Sequence, residues 1–207
     1  MDDGRRDEGD AIAARKALRS EMRRQRASLS PTERASAANA VARRVARELA
    51  LPRGTRVGLY LSMGSELDTT PLLAFARQRG WRVYVPVLHG REAQSMWFQP
   101  LAAPLRPNRF GIPEPHPDAQ QRVAPRWLDV VFVPVVAFDD RGHRIGSGAG
   151  FYDRTFAYLR HRGPWRKPPL VGLAYDCQRK ASIEPREWDV PLDAVVTERS
   201  LHRFPRE

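Results

Sequence analysis

The first 30 residues carry apolar side chains at helical spacing. Ile12, Ala14, Leu18, Met22 and Leu29 recur near the period of an α-helix, and arginines fill the positions between them. Apolar residues three or four positions apart lie on one face of a helix. The pattern therefore predicts a first helix that ends close to residue 29.

A second helix is predicted to begin at the sequence Ser-Pro-Thr-Glu of residues 30–33. Serine at the N-cap, proline at the first helical position and glutamate at the third form a capping box, which satisfies backbone N–H groups at a helix start. The helix continues as an apolar stripe at every fourth position, made of Ala37, Val41, Val45 and Leu49. The sequence Pro-Arg-Gly of residues 52–54 ends it.

Beyond residue 54 the pattern changes to short apolar runs separated by helical segments. Helices are expected over residues 70–79 and 152–160, and the apolar runs are residues 57–61, 83–87, 130–136, 170–174 and 194–197. Strands that alternate with helices predict an α/β fold with a mainly parallel open sheet and helices on both faces. Ligands bind beyond the carboxyl ends of such strands, so the loops after Leu61, Val87, Val136 and Ala174 are expected to carry function.

The remaining segments are predicted to be irregular. Residues 1–10 are too charged for a secretory signal and are expected to form a flexible tail, so that residues 11–207 make up a single domain. Residues 96–98 suit a short strand, whereas residues 100–125 hold seven of the 18 prolines and should be mostly loop. The longest apolar stretch, residues 127–138, falls short of the roughly 20 residues that a membrane helix needs.

The most informative segment is a glycine loop, residues 146–150, with the sequence Gly-Ser-Gly-Ala-Gly. It lies between a buried strand and a helix, where alternating glycines let successive N–H groups approach a ligand. A phosphate is the natural guest, and Arg144 and Arg154 could contact its oxygens. The alternative is a tight strand-to-helix turn with no ligand. The spacing matches neither the dinucleotide-binding fingerprint nor a P-loop.

Two aspartates near the predicted site allow more than one interpretation. Asp153 at the start of the helix could complement the helix dipole, or hold Mg²⁺ beside a bound phosphate. Asp193 precedes a buried strand and could be a second metal carboxylate or a turn residue. The pair Asp139-Asp140 could likewise bind metal, although a turn is favoured there.

Charge narrows the possible partners. The chain has 35 Lys and Arg residues against 24 Asp and Glu residues, a formal net charge of +11. This excess favours polyanionic partners such as phosphates, acidic small molecules or nucleic acid, although solvated arginines on helix faces would produce the same balance. Cys177 is the only cysteine, so no intramolecular disulfide can form and a reducing cytoplasm fits. The five histidines show no metal-ligand spacing.

Five segments in succession resemble the 5-formyltetrahydrofolate cyclo-ligase family, also named methenyltetrahydrofolate synthetase. They are residues 15–19 (RKALR), 61–69 (LSMGSELDT), 110–115 (FGIPEP), 144–154 (RIGSGAGFYDR) and 191–198 (PLDAVVTE). Each segment is short, but the five in the family's order cover nearly the whole chain from residue 15. The resemblance implies a three-layer α/β fold with a NagB/RpiA/CoA-transferase-like arrangement.

The resemblance also implies a reaction. ATP and 5-formyltetrahydrofolate would give 5,10-methenyltetrahydrofolate, ADP and phosphate, with Mg²⁺ as the cofactor. The formyl oxygen is phosphorylated first, and N10 of the folate then closes the ring. Such chemistry needs positioning and charge neutralisation rather than a nucleophilic side chain, so no catalytic residue of that kind is expected.

Site residues follow from the resemblance position by position. Mg²⁺ would be held by Asp153 and Asp193. The substrate site would comprise Leu61, Glu66, Phe110 and residues Ser147, Gly148, Ala149, Gly150, Phe151 and Tyr152. ATP would be bound by Arg15, Lys16, Arg19, Arg144, Ile145, Gly146, Ser147, Gly148, Ala149, Gly150, Phe151 and Tyr152.

Several alternatives accompany these assignments. Glu66 could accept N–H bonds from a pterin or simply close a turn after a strand, and Phe110 could stack on the folate or anchor a loop. Arg15 stands where family members often have lysine, so either Arg15 or Lys16 would reach the phosphates. Some members carry lysine at the position of Ala149, which leaves more charge neutralisation to Arg144 and Arg154.

Two other functions compete with this interpretation. A basic nucleic-acid-binding module would use the arginines of residues 11–50, but no RNP, KH or zinc-finger signature is present. Another phosphate-binding transferase would keep the glycine loop without needing Glu66. We expect a monomeric cytoplasmic enzyme that acts on small molecules, with neither nucleic acid nor a membrane as a partner.

Overall fold

The computed structural model describes residues 3–88, 94–101, 104–116, 118–160 and 167–205. Four α-helices are present in these ranges: α1 (Asp3–Ser28), α2 (Pro31–Glu48), α3 (Thr70–Gln78) and α4 (Phe151–Thr155). The strands are β1 (Arg56–Gly58), β2 (Arg82–Val87), β3 (Trp97–Pro100), β4 (Leu105–Pro107), β5 (Pro113–Pro115), β6 (Val130–Pro134), β7 (Ala137–Phe138), β8 (Arg144–Ile145), β9 (Leu170–Leu173), β10 (Ala194–Val196) and β11 (Leu201–Arg203). Short 3₁₀ turns cover Ala119–Gln121, Pro125–Trp127, Ala157–Leu159 and Asp176–Gln178.

Seven strands form one sheet in the order β11-β10-β9-β6-β1-β2-β3. The five inner strands are parallel, while β11 and β3 run antiparallel at the two edges. The predicted mainly parallel sheet is therefore confirmed. The edge strand β11 was not expected from the sequence.

The inner strands are apolar because both faces of the sheet are covered. Along β6, Val130 and Phe132 point into a core shared with α2 and α3, whereas Val131 and Val133 point into a second core on the opposite face. Phe156, in the segment that follows α4, closes this second core. Helices therefore lie on both faces, as the alternation of elements predicted.

The start of α2 confirms the capping box. Ser30 Oγ accepts a hydrogen bond from the amide of Glu33 at 3.2 Å, and the Glu33 carboxylate accepts one from the amide of Ser30 at 2.8 Å. Other boundaries differ from the expected ones. The strand expected over residues 57–61 ends at Gly58, and the helix expected over residues 152–160 is α4 followed by a 3₁₀ turn. Residues 3–10 continue α1, and their flexibility stays a prediction.

Two small hairpins lie outside the main sheet. Strands β4 and β5 pair within the segment expected to be mostly loop, and β7 pairs with β8 just before the glycine loop. The β4–β5 ribbon tolerates its prolines because each strand of a two-stranded ribbon has an unpaired edge. Its tip is folded by Asn108, whose side-chain oxygen accepts hydrogen bonds from the amides of Phe110 and Ile112.

Helix α1 packs against the β7–β8 hairpin. Met22 is fully buried among Val136, Ala137, Ile145 and Ile183. This contact places the arginines of α1 beside the glycine loop that follows β8. Among the described residues, no helix combines the length and apolarity needed to cross a membrane.

Gly172 in β9 provides a test of the packing between the sheet and its second core. A Cβ atom at this position would lie 2.8 Å from Val135 Cγ2 and 2.9 Å from Val195 Cγ2. Gly172→Ala is therefore expected to lower the free energy of unfolding by about 1–3 kcal/mol, the usual cost of overpacking. Urea denaturation measures the change.

Gly9 in α1 is the matched control, because a Cβ there would meet nothing within 4 Å. Gly9→Ala should leave stability unchanged or raise it by up to about 1 kcal/mol, since alanine is the better helix former. Equal unfolding free energies for the two variants would contradict the packing described for Gly172.

Candidate active site

A cleft of about 440 Å³ opens at the carboxyl ends of the parallel strands. Tyr60 and Leu61 after β1, Leu88 after β2 and Pro134 at the end of β6 form its floor. The tip of the β4–β5 hairpin and the glycine loop form its walls. Three of the four loops expected to carry function therefore border the cleft, whereas the loop after Ala174 does not line it.

The glycine loop exposes consecutive backbone N–H groups. Gly148 and Gly150 have φ angles of 115° and 68°, which favour glycine over any residue with a side chain. Within the described part of the chain, the amides of Ser147, Gly148 and Ala149 donate to no acceptor. Successive N–H groups of this kind form a concave site for an anion.

Two arginines of α1 hold the loop from behind. Arg19 Nε donates to the carbonyl oxygen of Gly146 at 3.1 Å, and Arg23 Nη2 donates to that of Ser147 at 3.0 Å. In a trans peptide the N–H points opposite to the C=O. The N–H groups of Ser147 and Gly148 are therefore directed away from α1.

Positive charge accumulates around this loop. Burial lowers the pKa of Arg19, and the nearby charges of Arg15, Arg186 and Arg23 lower it further. Several like charges at one place raise the local potential and favour an anionic ligand. The arginines of α1 are thus not a simple solvated face.

The structure shows different surroundings for Arg15 and Lys16, the two cations that the sequence left as alternative phosphate ligands. The Arg15 guanidinium is bound by the Asp189 carboxylate at 2.8 Å and by the carbonyl oxygen of Glu184 at 2.7 Å. Lys16 is exposed on the surface of α1. Neither side chain lines the cleft, whereas Arg19 directly contacts the glycine loop.

Arg144 and Asp153 form a nearly buried ion pair at the base of the loop. Arg144 Nη2 lies 2.7 Å from Asp153 Oδ1, and Nη1 donates to the carbonyl oxygen of Val190. The amide of Val190 donates back to Asp153 Oδ1 at 3.3 Å. Both charged residues line the cleft. Arg144 is thus bound to protein partners, whereas the Oδ2 atom of Asp153 has no hydrogen-bond partner among the described residues.

The structure does not bring Asp193 to Asp153. The Asp193 carboxylate accepts a hydrogen bond from the amide of Leu170 at 2.7 Å, at the amino ends of β9 and β10. Val196, three residues further, pairs with Leu173, which pairs with Pro134 on the cleft floor. Three strand residues span about 10 Å, so Asp193 lies well below the cleft.

Asp189 is the acid of this segment that lies next to the site. It precedes Val190, whose amide contacts Asp153, and its carboxylate binds Arg15. Sequence reasoning missed Asp189 because it selected the other aspartate of the same short segment. Asp189 stands five positions before the predicted strand and Asp193 directly precedes it, and nothing in the sequence favours the more distant residue.

Glu66 lines the cleft on the turn after β1. Its carboxylate accepts a hydrogen bond from the amide of Met63 at 3.0 Å. Burial raises the pKa of Glu66, and this amide together with Arg26 and Arg23 acts in the opposite direction. Burial also raises the pKa of Tyr152, and the Glu66 charge adds to that effect. A partly dehydrated carboxylate beside tyrosines suits a ligand with N–H donors.

Phe110 stands at the mouth of the cleft. It is 50% exposed, and its ring lies edge-on to Phe151 with the centroids 5.6 Å apart. The hairpin tip thus reaches across to the residue that follows the glycine loop. Leu61, Phe110 and residues 146–152, with the exception of Gly148, all line the same cleft.

Glu114 is a further cleft residue that sequence reasoning did not select. It is only 7% exposed, and its Oε2 atom accepts hydrogen bonds from Asn108 Nδ2 at 3.0 Å and from the amide of Leu88 at 3.3 Å. Its position within the sequence Gly-Ile-Pro-Glu-Pro was the available signal. These two hydrogen bonds connect the tip of the β4–β5 hairpin to the end of β2.

The Asp139-Asp140 pair forms a turn, as the sequence favoured. Asp139 is fully buried and accepts hydrogen bonds from the amides of Arg141, His143 and Ile183. Asp140 is exposed and pairs with Arg179. In the described ranges, no three His, Cys, Asp or Glu side chains are grouped as a ready-made metal site.

Fold and site together define a class of protein: an α/β protein in which a glycine loop suited to an anion borders a largely apolar cleft. A sequence profile then specifies the family. The chain belongs to the 5-formyltetrahydrofolate cyclo-ligase family, whose profile matches residues 11–198. The resemblance noted in the sequence is thereby confirmed.

Individual proteins of this family also match the chain in sequence and in structure. The chain is 38% identical over 178 residues to a 5-formyltetrahydrofolate cyclo-ligase of Escherichia coli K12, a match that covers 85% of this chain and 96% of that protein. It is 34% identical over 186 residues to one of Haemophilus influenzae, covering 88% and 96%. The solved structure of Aquifex aeolicus 5,10-methenyltetrahydrofolate synthetase superposes with a TM-score of 0.76 at 30% identity, covering 93% of this chain and 94% of that one.

Proposed function

We propose that this protein converts 5-formyltetrahydrofolate to 5,10-methenyltetrahydrofolate with ATP, releasing ADP and phosphate. Family membership supports the reaction class. The observation that carries the proposal is the junction of two sites: the open N–H groups of the glycine loop adjoin the cleft that contains Glu66. One site suits a polyphosphate and the other a ring system with N–H donors.

The protein's part in the reaction is positioning. The formyl oxygen attacks the γ-phosphorus of ATP and the bond to the ADP oxygen breaks. N10 then attacks the activated formyl carbon, the proton of N10 is lost, and phosphate leaves with the former formyl oxygen. The loop amides bind the phosphates at one wall, with Arg19 holding the loop in place from behind, while Glu66 orients the pterin at the other wall.

Asp153 fits one half of a Mg²⁺ site. Mg²⁺ in proteins is commonly held by one or two carboxylates together with substrate phosphates, and Asp153 borders both the cleft and the glycine loop. We propose Asp153 as the metal-linked carboxylate, with Asp189 as the second acid of that region. Mg²⁺ would neutralise charge on the transferring phosphoryl group.

The excess of positive charge does not require nucleic acid as a binding partner. Arg19 and Arg23 are bound to loop carbonyls, and Arg26 is only 6% exposed, so a good part of the charge on α1 points into the protein. ATP and a folate glutamyl tail are the polyanions that this charge suits. A monomer in the cytoplasm stays our expectation.

The direct test is an absorbance assay for the methenyl product. Purified protein with ATP, Mg²⁺ and 5-formyltetrahydrofolate is expected to produce the methenyl chromophore, and omission of ATP should abolish the signal. Chelation of Mg²⁺ should reduce it strongly. Absence of product in the complete mixture, with correctly folded protein, would refute the proposal.

Glu66→Gln tests the folate side of the site. A hydrogen bond to a charged group contributes about 1.5–3 kcal/mol, so the KM for 5-formyltetrahydrofolate should rise roughly 10- to 100-fold while the KM for ATP changes little. Because burial raises the pKa of Glu66, the parent should lose folate affinity as the pH falls through that raised value. Steady-state kinetics between pH 5 and 8 measure both effects.

The acidic loss of affinity should disappear in Glu66→Gln, since the amide does not titrate. Glu48→Gln is the control, because Glu48 pairs with Arg44 on α2 and lies outside the cleft. An equal increase in both KM values, or a pH profile that Glu66→Gln leaves unchanged, would remove Glu66 from pterin recognition.

A further inference from the structure

The tip of the β4–β5 hairpin brings Phe110 to the mouth of the folate cleft, but apolar packing does not fix it there. Within residues 107–113 no side chain is buried, and Phe110 itself is half exposed. The Phe110 ring contacts the ring of Phe151 and the Arg109 guanidinium, which lies 5.0 Å from the Phe110 ring centroid. The position of the tip therefore depends mainly on polar contacts.

Asn108 folds the tip and attaches it to Glu114. The Oδ1 atom of Asn108 accepts hydrogen bonds from the amides of Phe110 at 2.9 Å and Ile112 at 3.1 Å. The Nδ2 group of the same side chain donates to Glu114 Oε2 at 3.0 Å. One side chain thus connects the turn that carries Phe110 to the carboxylate of Glu114 on β5.

Glu114 in turn attaches the tip to the main sheet. Its Oε2 atom also accepts a hydrogen bond from the amide of Leu88 at 3.3 Å, and Leu88 directly follows β2. Strand β2 is paired on both sides, with β1 and with β3, so the sheet fixes this amide. Glu114 is buried at the edge of the cleft. Loss of its carboxylate would leave both donors without this acceptor.

We propose that Glu114 is a positioning residue for folate binding, which acts through Asn108 to hold Phe110 against the bound folate. The inference rests on the proposed function, because it takes 5-formyltetrahydrofolate as the ligand of the cleft. Glu114 serves here as an acceptor for two donors of the protein, and this role needs no contact with the substrate. A shift of about 1 Å in a group that positions a substrate can cost up to about 100-fold in rate.

Two variants break the connection in different ways. Glu114→Leu removes the shared acceptor. Asn108→Asp keeps an oxygen for the amides of the tip but replaces the donor to Glu114 by a second carboxylate oxygen. Each variant should raise the KM for 5-formyltetrahydrofolate about 5- to 100-fold and change the KM for ATP little. Glu114→Gln keeps an oxygen that can accept from both donors, so its KM values should stay close to those of the parent.

Gln99→Leu is the matched control. Gln99 is also buried and also holds two partners: its Nε2 donates to the carbonyl oxygen of His116 at 3.2 Å, and its Oε1 accepts from the amide of Asp118 at 2.9 Å. It joins β3 to the segment after β5 and lies outside the cleft. Gln99→Leu should therefore lose stability but keep the parental KM for 5-formyltetrahydrofolate. Circular dichroism establishes that each variant is folded.

The closing experiment is a double-mutant cycle between Glu114 and Phe110, measured by steady-state kinetics. Phe110→Ala alone should also raise the KM for 5-formyltetrahydrofolate. If Glu114 acts through Phe110, adding Glu114→Leu to Phe110→Ala should cause no further increase, because the ring that it positions is already absent. If Glu114→Leu does not fold, the cycle is measured with Asn108→Asp in its place.

Each other outcome contradicts the inference. Increases that multiply in the double variant would mean that Glu114 acts independently of Phe110. A defect in Glu114→Gln as large as that in Glu114→Leu would mean that the charge acts rather than the acceptor. Parental KM values in Glu114→Leu and Asn108→Asp would also overturn the inference, while the turnover of the parent would leave the proposed function standing. A parent that forms no methenyl product would remove both.

Discussion

Asp139→Ala is expected to lower the free energy of unfolding by about 4 kcal/mol or more. The buried carboxylate of Asp139 accepts hydrogen bonds from the amides of Arg141 at 3.0 Å, His143 at 2.9 Å and Ile183 at 2.9 Å, and contacts His143 Nδ1 at 3.0 Å. Each buried donor left without an acceptor costs roughly 1–3 kcal/mol. Chemical denaturation of the parent and the variant measures the difference.

Asp140→Ala is the matched control at the next position. Its carboxylate pairs with Arg179 at 2.7 Å, but both side chains are about half exposed, so the loss should be about 0–1 kcal/mol. The turn formed by these residues joins β7 to β8 and so supports the glycine loop. Similar unfolding free energies for the two variants would show that the turn does not depend on the buried carboxylate.

Asp153→Asn is expected to reduce ATP-dependent turnover by at least about 100-fold, the scale on which loss of a charge-stabilising group affects phosphoryl transfer. Asparagine keeps an oxygen that can accept from Arg144 Nη2 and from the amide of Val190. It removes the negative charge with which a carboxylate favours Mg²⁺ binding. Circular dichroism should therefore show a native fold, while steady-state assays show the loss of turnover.

Three further aspartates sharpen this test. Asp129→Asn breaks an ion pair with Arg56 at the amino end of β6, outside the cleft, and should retain turnover. Asp189→Asn should share the metal-dependent defect, whereas Asp193→Asn should act on stability through the start of β9. Normal turnover in Asp153→Asn would remove this residue from the metal site, whatever the other variants show.

Local chemistry made several elements predictable. The capping box at Ser30 depends on residues three positions apart, and the buried run at β6 reflects a strand covered on both faces. Alternating glycines after a strand likewise predict a candidate anion site without any tertiary information. In each case the sequence signal and the physical cause lie within about seven residues.

Long-range contacts determined what the sequence could not show. The β4–β5 hairpin depends on Asn108 and on the contact of Glu114 with the end of β2, and proline content alone gave no hint of it. A recess beside the glycine loop is lined by residues between positions 148 and 160 together with Trp188, which comes nearly 30 positions later. The position of Asp193 away from the cleft could have been predicted from the sequence. A residue that directly precedes a parallel strand lies at the amino end of the sheet, whereas ligands bind at the carboxyl end.

Arg19 and Arg23 of helix α1 donate hydrogen bonds to the glycine loop, so α1 influences ligand binding at that loop. If α1 separates from the β7–β8 hairpin, the carbonyls of Gly146 and Ser147 lose Arg19 and Arg23 together. A ligand that binds only the ordered loop therefore also stabilises the docked position of α1. The reason is that binding to one conformation shifts the local opening equilibrium towards that conformation. Nucleotide should consequently slow hydrogen exchange in α1 around Met22, more than 120 residues away from the loop along the chain.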